Sequence, residues 1–492
     1  MKPENTQKPT GRHEDRNTDI ISPSAHTNKQ LLLQLFGNSF DLMFREINCG
    51  EIQYTAAFLD GMCDRLFLSQ SVIRPLSQPL DCKKEDAIDV LYDILYEGIE
   101  RAMVSTMSEV IQHLIAGSLV FFADECTTCV CFNAPIFARR AVTEPTTEQQ
   151  EKGSHEGFTD FFKDNVTLLR RRLRTEQLHI EKQTLGSLSN TLVCICYLAD
   201  RTDEKLLHEV RSNLSKTDLD IILGAGSLRP FLDSRKEAFF SSVGTTERPD
   251  TLAAKLTEGR IGIIVDGVPF ALFIPQLLID HFHSPDDYLT KPYYAFLLRC
   301  LRIAAFFCST ILPGLFVAVC TYHPEILPTD IMFDIAVAIS QTPFSLGAEA
   351  LIIIFIYEIV REAGLRMPKA VGHAVSIVGA LVIGDAAVTA GLIAAPMLIV
   401  VALTAISSAA LSGIHAPMAA LRFLFILAGS TLGLFGIAVL ATAVSIGICG
   451  MQPYTIPFSS GISPYKRGAM RDLLVLKKRH KTSDLQMKDL HF

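Results

Sequence analysis

The chain of 492 residues lacks the local signatures of the common enzyme classes. It contains no Walker-type phosphate loop, no GxSxG nucleophile elbow and no HExxH zinc helix, which speaks against catalysis by any of those routes. It also lacks a basic stripe with interleaved aromatics, and its formal net charge is -7, so a dedicated nucleic-acid binder is excluded. No signal peptide is expected ahead of the 12 scattered cysteines, and the first half is placed in a reducing cytosol without a disulfide framework. The hydrophobic residues concentrate in the last two-fifths. From Lys369 to Leu411 the only formal charge after Lys369 is Asp385. With ~1.5 Å rise per residue and roughly 20 apolar positions per crossing, that run holds two spans or one span plus a re-entrant piece. Gly391 and Pro396 mark its break, and small residues four apart, such as Ala380 and Gly384, allow helices to approach closely.

Read in order, residues 1–28 are a polar, disordered tail. Residues 29–47 place Leu and Phe at helical spacings, interrupted near Gly37. A strand over 51–60, a helix over 85–110 and strands over 112–122 and 127–136 complete a first α/β lobe, 29–140. A charged connector, 141–157, leads to a second α/β lobe, 158–258. There Phe161, Phe162, Val166, Leu169 and Leu173 form an apolar stripe beside Arg170, Arg171, Arg172 and Arg174. The arginines read as a solvated helix face or a contact with acidic partner residues, ahead of a phosphate or lipid head-group site. Residues 259–294 are an interfacial coupling region: Asp266 opens a turn, and Pro269 and Pro275 keep 269–282 from forming an ordinary spanning helix.

Spans are expected over 303–320, within 331–360, across 370–411 and over 423–449. They make a transmembrane helical domain, 295–450, followed by a basic tail, 451–492. The fold class is a membrane protein: a two-lobed cytoplasmic α/β N-terminal domain followed by an α-helical multi-span transmembrane domain. Arg299 and Arg302, then Arg361, Arg366 and Lys369, orient the N-terminal domain toward the cytoplasm. Five crossings would strand the basic tail outside. Either one apolar segment does not cross fully, or the 423–449 run bends back, or the tail is an exception.

Cys126, Cys129 and Cys131, with Cys194 and Cys196, could assemble a thiolate zinc site, but cysteines two apart on strands fit as buried small residues, so no metal or cofactor is expected. His281 and His283 read as surface positions, and Gly224 to Ser227 as a turn. Asp334, Glu349, Glu358 and Asp385 lie within or at the ends of apolar segments, where an unpaired charge costs ~2.5 to 3.5 kcal/mol. Glu349 and Asp385 either line a cation path or pair with Arg361, Arg422 or a partner subunit. Glu358 and Arg361 read as interfacial.

Several stretches carry a resemblance over nearly the whole chain after the tail: TEPTTEQQEKGSHEGF with NVTLLRRRLRT, TERPDTLAAKLTEGRIGIIVDGVPF, LPGLFVAVCTYHPEILPT, and the long EALIIIFIYEIVREAGLRMPKAVGHAVSIVGALVIGDAAVTAGLIAAPMLIVVALTAI. The chain resembles the A subunits of the GerA-type spore germinant receptors. The resemblance implies residence in the spore inner membrane, alongside a transporter-like B subunit and a lipoprotein C subunit. It further implies homo-oligomers that conduct monovalent cations when nutrient is sensed. The SpoVA-operon F proteins share these domains and rank second, as does a non-conducting scaffold role. Glu349 matches the family pattern, whereas Asp385 stands where an uncharged polar residue is expected. On this reading Ile393, Leu398 and Val401 gate the path by dewetting, and Asp266, Pro269 and Pro275 couple the lobes to it.

Overall fold

Alternating apolar strands and capped helices build the same supersecondary unit twice. The computed structural model describes residues 20–49, 52–64, 86–94, 100–133, 153–233, 238–367, 384–460 and 462–463, with 70, 74, 145, 148 and 382 as isolated positions. Lobe 1 runs α1 (Ala25–Leu35), β1 (Leu42–Cys49), β2 (Ile52–Leu59), α2 (Ala87–Ile94), β3 (Arg101–Val104), α3 (Met107–Ala116), β4 (Ser118–Ala123), β5 (Cys129–Asn133). Lobe 2 runs α4 (Phe162–Arg172), β6 (Leu178–Leu185), β7 (Thr191–Leu198), α5 (Glu204–Ser215), β8 (Gly244–Thr246), α6 (Pro249–Thr257), β9 (Ile261–Val265), β10 (Ala271–Ile274). Apart from short helical turns at 225–232, the element order among the described residues is identical. So is the sheet order: β1-β2-β4-β5-β3 in one lobe and β6-β7-β9-β10-β8 in the other.

The repeat extends to individual side chains. Buried Asn28 accepts from Ser22 N at 2.9 Å and donates to Ser22 O at 2.7 Å, while buried Asn165 does the same with Thr159 at 2.7 and 2.6 Å. Asp124, in the β4–β5 turn, accepts from Ala25 N at the start of α1, and Asp266, in the β9–β10 turn, accepts from Phe162 N at the start of α4. Glu125 N bonds Pro23 O, and Gly267 N bonds Asp160 O. Gly117 and Gly259, at φ 93° and 89°, end α3 and α6 in the left-handed conformation that glycine adopts without a Cβ penalty.

In lobe 1 the sheet is covered on both faces. Tyr54, Phe121, Val130 and Phe132 pack with α2 residues Ile88 and Leu91, while Val120, Phe122, Cys129 and Cys131 pack with α1 residue Leu32 and α3 residues Val110 and Leu114. In lobe 2, Cys194, Cys196 and Ile264 face α4 residues Val166 and Leu169 and α6 residues Leu252 and Leu256. A buried ion pair joins the lobes. Arg170 Nε lies 2.8 Å from Asp41 Oδ2 and its Nη2 3.0 Å from Asp41 Oδ1, with both side chains 2% exposed. Phe40 N bonds Ile180 O, and a Cβ on Gly37 would collide with the His179 ring.

Several sequence expectations are corrected. Beyond Gly37, residues 42–49 form strand β1 rather than more helix, because Met43, Arg45 and Ile47 alternate against β2. The expected helix over 85–110 is interrupted by β3, and 112–116, expected as the start of a strand, instead belong to α3, since Thr106 caps Glu109 N at its start and Gly117 ends it. Residues 271–274 are not interfacial: Ala271, Leu272, Phe273 and Ile274 are all buried in strand β10. Order already begins within the stretch expected as tail, with Ile21 buried and α1 starting at Ala25. Residues 1–19, most of the 141–157 connector, 368–381 and 464–492 lie outside the described residues.

The second unit is helical: α7 (Pro292–Thr310), α8 (Leu312–Tyr322), α9 (Thr329–Ser340), α10 (Leu346–Arg366), α11 (Ala395–Ala409) and α12 (His415–Cys449). Among the described residues, α7 and α12 are long and apolar enough to cross a membrane by length and composition. The expected 303–320 span straddles the junction of α7 and α8 beside Pro313, and 331–360 falls on two helices, α9 and α10. Gly391 takes φ 64° and Pro396 sits in the first turn of α11, so the chain breaks where those residues predict. Within α12, Gly433 has φ 60° and ψ -145°, a conformation open essentially to glycine. A Cβ on Gly436 would lie 2.5 Å from Ala428 O, eight residues back, where a straight helix would separate them by ~12 Å. α12 is therefore a hairpin with arms 415–432 and 434–449. Leu421 and Phe425 of the first arm share a cluster with Ile437, Ala441 and Val444 of the second. Tyr322 closes the tip by donating to Ser430 O at 2.9 Å and Thr431 O at 3.1 Å.

Candidate functional site

Glycine decides how closely the helices that carry the carboxylates can pack. A Cβ on Gly314 of α8 would collide with Phe425 O, and one on Gly429 of α12 with Gly314 O, so the two backbones touch. Against this pair α10 begins at Ser345, whose Oγ accepts from Ala348 N at 3.4 Å. Glu349 follows in the first turn and is 0% exposed. Its carboxylate accepts from Thr342 Oγ1 and, at 3.0 Å, from Ala394 N at the start of α11. A carboxylate there complements the positive end of two helices, α10 and α11. No cationic side chain pairs with Glu349 among the described residues. Asp385 is exposed on the helical stretch 384–389, and among the described residues no hydrogen bond or ion pair joins it to Glu349.

The arginines offered as partners for these acids go to a third carboxylate. Arg422 Nη1 lies 2.9 Å and Arg361 Nη1 3.7 Å from Glu358, which also meets His415 Nε2 at 3.2 Å. Glu358 is therefore the hub of a polar cluster, set within α10 rather than at its end. Helical spacing could have flagged it, since Glu358 and Arg361 are three apart.

The proposed gate residues belong to the bundle interior. Ile393 and Val401 are buried with Met397, Val317, Ile354 and Ile426, and Leu398 packs half-buried on the same cluster. Within a single chain these side chains are packed against one another. The coupling residues separate as well: Asp266 holds the start of α4, Pro269 is part-exposed in the β9–β10 turn, and Pro275 is buried at the end of β10.

Outside the bundle, Asp287 anchors the start of α7. Arg302 reaches its two oxygens at 2.7 and 2.8 Å, and Arg299 lies 3.3 Å away. Burial alone would raise the Asp287 pKa, but the Arg302 hydrogen bonds outweigh it and hold the carboxyl below its usual range. The five cysteines considered for zinc do not converge: Cys126 packs on the α2 face of the first sheet, Cys129 and Cys131 on its other face, and Cys194 and Cys196 in lobe 2. Burial pushes the Cys194 thiol up to about 12. Of the arginine cluster, Arg170 meets Asp41, and Arg172 and Arg171 meet Glu156 at 2.6 and 3.7 Å, all acids of this same chain.

Comparison with known proteins gives concordant matches. The sequence model of the Bacillus/Clostridium GerA spore germination protein matches residues 30–486. The chain is 35% identical over 461 residues to spore germination protein KA of Bacillus subtilis (strain 168), covering 92% of this chain and 85% of the relative. It is 34% identical over 469 residues to the uncharacterized membrane protein YfkQ of the same organism, covering 94% and 90%. The solved N-terminal domain of the A subunit of the Bacillus megaterium spore germinant receptor GerK3 aligns with TM-score 0.43 at 23% identity, covering 53% of this chain and 97% of that one.

Proposed function

The chain belongs to the GerA spore germination protein family, and we propose that it is the A subunit of a nutrient-germinant receptor in the spore inner membrane. In this reading it works with a transporter-like B subunit and a lipoprotein C subunit. Copies of the helical unit assemble into an oligomer that conducts monovalent cations, with the α/β lobes on the cytoplasmic, spore-core side. The name of the relative YfkQ supports the membrane assignment.

The observation that carries conduction is Glu349: a fully buried carboxylate, satisfied by a hydroxyl and a backbone N–H but by no cation among the described residues, in a bundle of apolar helices. Because Ile393, Leu398 and Val401 pack within one chain, the path runs between chains, and gating repacks these side chains rather than opening a lumen through one bundle. The buried Arg170–Asp41 pair makes the two lobes act as one body in that switch.

The α12 hairpin supports this orientation. Leu278 N bonds Phe458 O at 3.0 Å, and Phe240, His281 and Phe458 stack together, so the chain leaves the helical unit at the end where it joined it. In this reading the number of crossings is even and the basic tail lies on the cytoplasmic side.

A scaffold that only assembles the B and C subunits is the second reading, favoured by the tight packing of the gate residues. Cation flux through purified protein in sealed liposomes separates the two. Conduction predicts flux that falls in Glu349→Gln at unchanged oligomer size. Equal flux in wild type, variant and empty vesicles, with a stable oligomer present, would leave the scaffold.

A further inference from the structure

Four helices bring polar groups to one buried point in the second unit. Arg422 of α12 is 0% exposed, donating Nε to Ser309 O of α7 at 2.7 Å and Nη1 to Glu358 Oε1 of α10 at 2.9 Å. Its Nη2 is also buried and meets no acceptor among the described residues. His415 completes the cluster, with Nε2 3.2 Å from Glu358 Oε2 and Nδ1 2.9 Å from Ser408 Oγ of α11. Arg361 Nη1 stands 3.7 Å from Glu358, and the Tyr357 ring centroid lies 5.7 Å from the Arg422 guanidinium.

Two features of this cluster point the same way. One carboxylate faces two guanidinium groups, so positive charge is in excess whether His415 is neutral or protonated. A buried guanidinium edge without an acceptor is also costly, because its N–H groups have given up water for nothing. We propose that the cluster is a binding site for a small monovalent anion of chloride size, held at Arg422 Nη2. The anion supplies both the acceptor that Nη2 lacks and the negative charge that the cluster lacks. Full burial of Arg422 limits the ligand to a compact ion and excludes bulky organic acids. Occupancy would tie α7, α10, α11 and α12 together, so the anion acts as a structural ligand of the bundle. None of this depends on whether the protein conducts cations.

The test uses the full chain in nanodiscs, comparing thermal midpoints in sodium chloride and sodium gluconate at equal ionic strength and pH. Binding predicts a saturable rise of several degrees with chloride, matched by bromide, because a ligand that binds only the folded state stabilises it by mass action. In Arg422→Lys the charge facing Glu358 is kept and the spare donor is lost, so the chloride response should vanish. If that variant does not fold, ³⁵Cl line broadening on the wild-type protein, relieved by added bromide, reads the same site directly. Equal midpoints in the two salts, a chloride response surviving in Arg422→Lys, or no line broadening would overturn the proposal and leave water at Nη2.

Discussion

Lobe 1 and lobe 2 are two solutions of one fold within a single chain, and their differences are more instructive than their likeness. The buried Asn28 and Asn165, the hairpin carboxylates Asp124 and Asp266, and the left-handed Gly117 and Gly259 recur in register. What recurs in both lobes serves the fold, because only the fold is common to them. Asp266 thereby loses its special standing as a coupling residue: lobe 1 carries the same device. What occurs once is where a lobe-specific role can lie. Arg170 occupies the ninth position of α4, where α1 has Leu33, and Thr246 ends β8, where β3 ends in Val104.

The unshared ion pair should give the largest effect. Arg170→Leu leaves Asp41 buried without its partner and is expected to destabilise the lobes by about 3 to 5 kcal/mol. Replacing both residues by Leu should recover much of that loss, as measured by denaturant midpoints of the full chain. A negligible loss in Arg170→Leu alone would mean that the pair is not what joins the lobes. The shared pins should come next, in matched pairs. Asn28→Ala and Asn165→Ala each strand a backbone N–H and C=O and should cost about 1 to 3 kcal/mol. Peptide-resolved hydrogen exchange should show each loss confined to its own lobe; a clearly unequal pair would break the equivalence. Asp124→Ala and Asp266→Ala should cost about 1 kcal/mol apiece, as for loss of a helix cap. An Asp266 variant that abolishes the germination response at that small cost would restore its coupling role.

Two α/β lobes followed by apolar helices were legible in the sequence because hydrophobic alternation and charge-free runs are local signals. The duplication was not read, although a signal existed: Gly117 and Asp124 are seven apart, as are Gly259 and Asp266, each flanking an apolar strand. Strand β10 was misread because two prolines beside four apolar residues suit an interfacial segment as well as a short central strand, and only its pairing with β9 decides. At the candidate site, Glu349 stood out by charge alone, but its partners Thr342 and Ala394 come from a loop and another helix start. The Glu358 cluster was hidden for the same reason, since Ser309, Ser408, His415 and Arg422 converge only in three dimensions. The reversal at Gly433 had been one of three open answers to the span count, as glycine in an apolar helix signals a bend only when its backbone angles are known.

The smallest expected effect concerns the position where Val104 and Thr246 diverge. Thr246 Oγ1 donates to Glu148 at 2.7 Å. Burial raises the Glu148 pKa; the bonds from Thr246 and the Glu247 backbone work against that rise without cancelling it. A carboxyl whose folded pKa lies above its unfolded value binds its proton more tightly in the folded chain. Its contribution to stability is therefore fully present below the ordinary glutamate range and is lost as pH rises through the folded value. Lobe 2 should accordingly weaken as pH climbs through that window, and Glu148→Gln, which is neutral at every pH, should flatten the slope. Thr246→Val, which gives lobe 2 the residue of lobe 1, should steepen it, because removing the donor raises the Glu148 pKa further. Hydrogen exchange of β8 peptides followed against pH reads both variants, and an unchanged slope in Glu148→Gln would assign the pH dependence to another group.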